Sequence, residues 1–144
     1  MDKVNIQFLP SDDAPTGLRL SYTSDSESDN DCFVALEQDG NTGLLFDVRF
    51  VKEVDQTSAA LFEILERIRS ALKNRGFKLQ PIDKESPKSL WIGWLYVSGY
   101  SVNDPATLSG LVDNDGFTTA VATGLVELFE SIGGEVSRLH HQRI

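Results

Sequence analysis

The residues of this chain able to do chemistry are few: one cysteine, Cys32, two histidines, His140 and His141, and 22 carboxylates. A cysteine–histidine nucleophile needs thiol and imidazole within hydrogen-bond reach, with a third group orienting the base. Cys32 instead falls in an apolar alternation with Val34 and Leu36, where a free cysteine behaves as a small buried hydrophobe. His140 and His141 are adjacent, in a tail over 135–144 that is expected either to fray or to add a short helical turn through Val136 and Leu139. Neighbours on a helix do not share a face, and two imidazoles fall short of the four ligands of a structural zinc site. One cysteine forms no intrachain disulfide, which suits a reducing compartment.

Asp113-Asn114-Asp115-Gly116 invites comparison with a calcium loop. Setting Gly116 at the loop's glycine puts Leu111 where a first carboxylate ligand belongs and Ala122 where a bidentate glutamate belongs. Without those oxygens the segment reads as a turn capping a helix through Asp115 or Thr118. The sequence holds no nucleophile elbow, phosphate-binding loop, dinucleotide fingerprint or His-Glu-x-x-His helix. No catalytic residue, metal or other cofactor is assigned. These absences weigh against an enzyme, the alternative being a dispersed site near the loop 101–116.

The remaining chemistry is that of recognition. Asp25, Glu27, Asp29 and Asp31 alternate within an acidic low-complexity segment, 24–31, expected to be a mobile loop that meets a basic partner. In the apolar stretch 90–100, Ile92, Trp94, Tyr96 and Tyr100 fall on one face of a strand. Trp91, Gly93, Leu95, Val97 and Gly99 fall on the other, where the glycines admit a closely packed helix. Trp94, Tyr96 and Tyr100 are therefore candidate interface anchors, because amphipathic aromatics dominate binding hot spots.

Charge narrows the partner. The chain carries 13 basic and 22 acidic residues, a net charge of −9, which disfavours nucleic acid and anionic membranes. The segment 67–88 runs the other way, with seven basic residues against two acidic, and is the alternative nucleic-acid patch. The apolar run 90–97 is less than half the ~20 residues needed to span a bilayer, and the N-terminus shows no signal-peptide pattern. The expected role is that of a small acidic cytoplasmic protein that binds another protein, as an inhibitor, immunity or antitoxin-like factor or adaptor. A homodimer is compatible with it.

These groups must be positioned by a fold legible in the hydrophobic periodicity. Period-two alternation marks strands at Val4, Ile6 and Phe8, at Leu18, Leu20 and Tyr22, at 32–36 and at 44–51. Asp39-Gly40-Asn41-Thr42-Gly43 predicts a hairpin turn between the last two. In the fourth strand Leu44, Phe46, Val48 and Phe50 share one face, while Leu45, Asp47, Arg49 and Val51 share the other. The period then lengthens to 3.6: Leu61, Ile64, Leu65, Ile68, Ala71 and Leu72 form the stripe of a helix over 58–74, capped by Asp55, Thr57 or Ser58 and ended by Gly76. A short strand over 77–80 and the apolar strand 90–100 follow. A second helix carries Phe117, Val121, Leu125, Leu128 and Ile132 and stops at Gly133-Gly134. The order β-β-β-β-α-β-β-α predicts one α+β domain over 1–144, a mostly antiparallel sheet of five to six strands with both helices on one face.

Overall fold

A computed structural model describes residues 3–9, 17–23, 31–39, 43–97 and 115–142. The elements are β1 (Lys3–Leu9), β2 (Gly17–Thr23), β3 (Cys32–Asp39), β4 (Gly43–Asp55), α1 (Ala59–Asn74), β5 (Lys78–Leu79), β6 (Lys88–Tyr96) and α2 (Asp115–His141). The strands form one antiparallel sheet in the order β1-β2-β3-β4-β6-β5. The architecture is thus the α+β arrangement that the periodicity predicts. Asp39 pairs with Gly43 across the expected hairpin. Tyr100, Asp25, Glu27, Asp29 and the loop 101–114 lie outside the described residues.

The core fills the space between one sheet face and the two helices. Val34, Val48, Phe50, Val54 and Ile92 from the sheet meet Leu61, Leu65, Ile68 and Leu72 of α1 and Leu125, Leu128, Ile132 and Leu139 of α2. Cys32 is buried there, and burial, reinforced by the charges of Asp31 and Asp47, pushes its thiol far above the usual range. It is the inert core residue expected from its alternation.

Helix α1 ends as its sequence dictates. Gly76 adopts φ 85°, and the amides of Gly76 and Phe77 donate to the carbonyls of Lys73 and Leu72, satisfying groups that a helix end leaves open. Its start differs from expectation. Ser58 is the N-cap but makes no side-chain cap bond. Asp55 instead accepts from the amide and hydroxyl of Thr57, and these bonds hold its carboxyl below the usual value.

Two further expectations are corrected. Helix α2 does not stop at Gly133-Gly134, nor does the tail fray there: the helix runs to His141. Val136, Leu139 and His140 are buried beyond the glycines, and burial of two large apolar side chains outweighs about 1 kcal/mol per helical glycine. Arg138, His140 and His141 in the last turn also complement the helix dipole.

The second correction concerns β6. Pairing with β4 shifts register between Val48/Gly93 and Arg49/Trp91, so that Ile92 is an extra residue, a β-bulge. Ile92 joins the core with Gly93, and Trp91 turns to the opposite face with Trp94 and Tyr96. The close approach expected at the glycines does occur at Gly93, where an added Cβ would lie 2.9 Å from the Lys78 carbonyl oxygen and 3.2 Å from Leu72 of α1. Because the first neighbour is backbone, Gly93→Ala is expected to lower the unfolding free energy by about 1–3 kcal/mol, measured by urea denaturation.

Among the described residues no helix is long and apolar enough to cross a membrane.

Candidate functional site on the sheet face away from the two helices

The face of the sheet turned away from the helices carries an organised polar and aromatic cluster. Its positions follow from the alternation of β3 and β4: Phe33, Ala35 and Glu37 on β3 face Arg49, Asp47 and Leu45 on β4. On β6, Trp91, Trp94 and Tyr96 are the cross-strand neighbours of Arg49, Asp47 and Leu45. Arg19 enters from β2 opposite Ala35.

Arg49 is the hub. Its Nη2 donates to Glu37 Oε1 at 2.6 Å. Its guanidinium carbon lies 5.0 Å from the centre of the Phe33 ring and 5.3 Å from that of Trp91, within the range of cation–π attraction. Arg19 sits 5.1 Å from the same Phe33 ring. Trp91 and Trp94 pack edge to face with centroids 6.4 Å apart. Phe33 and Ala35 are buried, Trp91 and Trp94 half-buried, and Tyr96 is 49% exposed. Tyr96 lies over Gly43, whose Cβ, were there one, would sit 3.2 Å from the ring.

Under this layer lies Asp47, 0% exposed. Neither of its carboxyl oxygens meets a hydrogen-bond donor among the described residues, and Arg49 Nε meets no acceptor there; the bond open to Asp47 is to the Glu37 carboxylate, with protonated Asp47 as the donor. The closest approach between them is 3.8 Å, from Nε to Oδ1, too long for a hydrogen bond. Burial first, and then the neighbouring Glu37 carboxyl, push the Asp47 pKa up to about 10, against the pull of Arg49. Asp47 is therefore a neutral acid at physiological pH. Arg49 Nε, a buried donor without an acceptor among the described residues, costs on the order of 1–3 kcal/mol.

The candidates named from the sequence are only partly brought together. Trp94 and Tyr96 belong to this face, and the bulge adds Trp91. Asp31 stands apart: it is bonded to Nδ1 of the buried His140, joining the start of β3 to the last turn of α2. His141 packs edge to face against His140. Among the described residues no three histidine, cysteine or acidic side chains are grouped to hold a metal ion.

Sequence reasoning missed Phe33, Glu37, Asp47, Arg49 and Trp91 as members of a site. One signal was present. The run Cys32-Phe33-Val34-Ala35-Leu36 is apolar at both parities, the pattern of a strand buried on two faces.

Other surfaces are less organised. A groove of about 630 Å³ between α1 and the end of α2 is lined by Ala60, Phe62, Glu63, Arg67 and Arg138. Arg67 pairs there with Glu63 and Glu135. Within the basic segment 67–88, Arg69 donates to the Gln80 carbonyl and Lys88 lies across from Asp55, whose carboxyl it helps to keep ionised. Comparison of the chain with protein-family models, curated proteins and solved structures finds no match. Fold and site together define it as an α+β sheet protein with an arginine–aromatic layer over a buried neutral acid.

Proposed function

We propose that this chain is a small cytoplasmic binding protein that engages another protein through the face of its sheet turned away from α1 and α2, as an inhibitor, immunity or antitoxin-like factor or adaptor. The observation that carries this reading is the assembly of Arg49, Trp91, Trp94 and Tyr96 around the buried Asp47. Tryptophan, tyrosine and arginine are the residue types enriched in binding hot spots. Stacking fixes their rotamers before a partner arrives, which lowers the entropic cost of association. The net charge of −9 favours a basic protein over nucleic acid.

The test is capture from the native host's lysate with the tagged full chain, at low and moderate salt. Wild type and the helix-side control Phe62→Ala are expected to retain a stoichiometric protein. Trp91→Ala combined with Trp94→Ala is expected to lose it by about tenfold or more. Tyr96→Ala, at an exposed position, is expected to weaken capture without disturbing the fold. Equal capture by all four proteins would contradict the reading.

A further inference from the structure

Arg49 stands between two carboxylates and satisfies one. Its Nη2 is 2.6 Å from Glu37, while Nε lies 3.8 Å from Asp47 and has no acceptor among the described residues. A shift of about 1 Å would bring Nε to the 2.7–2.9 Å of a charge-assisted hydrogen bond. The flanking faces of Phe33 and Trp91 allow this slide, because cation–π attraction varies gently with lateral position. What keeps Arg49 in place is Glu37, and the Glu37 side chain is 15% exposed whereas Asp47 is sealed. An incoming cation can therefore reach Glu37 and cannot reach Asp47.

Resting on the reading of this face as the partner surface, we infer that the partner docks a lysine or arginine on Glu37, that Arg49 transfers to Asp47, and that Asp47 gives up its proton to solvent. The charges balance. Before docking, Glu37 is paired with Arg49 and Asp47 is neutral. Afterwards Glu37 pairs with the partner's cation, Arg49 pairs with ionised Asp47, and one proton has left.

The other groups around Asp47 do not compete for this role. β2 contributes Arg19, held at Phe33. β3 contributes Glu37 and, on the core side, the protonated Cys32 thiol. β6 presents Trp91, Trp94 and the phenol of Tyr96, and β5 places Lys78 opposite Trp94. Of these, Glu37 is the group that accepts from protonated Asp47, so a cation docked on Glu37 weakens the bond that holds the proton. Arg49 Nε, without an acceptor among the described residues of the free protein, and the Asp47 oxygen that gives up its proton become each other's partners on binding. The cost of leaving them apart is recovered only in the complex, and only with a basic partner.

The experiment is calorimetric titration of the full chain with an acetylated, amidated tetralysine peptide at pH 8, in phosphate and in Tris, whose heats of ionisation differ. The expected result is release of about one proton per peptide, with affinity rising about tenfold per pH unit between pH 6 and pH 8. Asp47→Asn should bind without proton release and without that pH dependence, and Glu37→Gln should not bind. Absence of binding, binding without proton release, or release that survives Asp47→Asn would overturn the exchange. If it is overturned while the double tryptophan variant still loses the captured protein, the surface stands and the exchange falls. If the double variant retains that protein, both fall.

Discussion

Asp47→Asn raises the unfolding free energy at pH 7 by about 2–3 kcal/mol. The cause is linkage. The native Asp47 pKa of about 10 lies above its unfolded value of 3.8, so between those limits the native state holds a proton that the unfolded chain releases. The stabilisation from that proton is complete below the unfolded pKa and is lost as pH rises, by up to about 1.4 kcal/mol per unit. At pH 7 the loss is on the order of 4 kcal/mol. Asparagine has nearly the same shape and no proton to shed; one amide N–H can replace the carboxyl as donor to Glu37, while the other finds no acceptor among the described residues and gives back about 1–2 kcal/mol. Urea denaturation at pH 5, 7 and 9 should show wild-type stability falling with pH against a flatter variant, with the two curves crossing on the acid side. Parallel curves would mean that Asp47 is ionised in the native protein.

Removing the hub has the opposite sign. Arg49→Ala is expected to lower stability by about 3 kcal/mol at neutral pH, because three contacts go at once. Glu37, 15% exposed, keeps its charge without a partner, and breaking a buried pair from one side costs about 3–5 kcal/mol when burial is complete. The stacking on Phe33 and Trp91 is lost as well. The 23% exposure of the Arg49 side chain lets water reach Glu37, which moderates the total. Arg49→Lys should restore less than half. An ammonium keeps the charge but not the planar group that stacks on two rings while bonding a carboxylate. Denaturation curves for the three proteins, with near-ultraviolet circular dichroism reporting the Trp91–Trp94 packing, decide this. Full rescue by lysine would reduce Arg49 to a point charge.

Where neighbouring residues agreed, the sequence could be read directly. In α1 the stripe from Leu61 to Leu72, the basic last turn and Gly76 point to one helix and one stop. The two faces of β4 follow from strict alternation. The bulge at Ile92 was not legible, since it arises from pairing with a strand some forty positions earlier. It moves Trp91 across the sheet and so changes which aromatics share a face. Asp47 is invisible for a related reason. In β4 alone it reads as a residue of the solvent side, and only Ala35 and Trp94, supplied by other strands, place it inside. His140 shows the limit of local punctuation: two glycines predict a helix end, and the burial of Val136 and Leu139 carries the helix past them.

Oxidative footprinting of the captured complex tests the binding face most directly. The chain's two tryptophans, Trp91 and Trp94, both lie on that face, beside the exposed Tyr96, while the exposed Phe62 marks the groove on the helix side. The expected result is protection of Trp91, Trp94 and Tyr96 on complex formation, with Phe62 oxidised as in the free protein. Protection centred on Phe62, with the tryptophans unchanged, would place the partner on the helices and contradict the proposal.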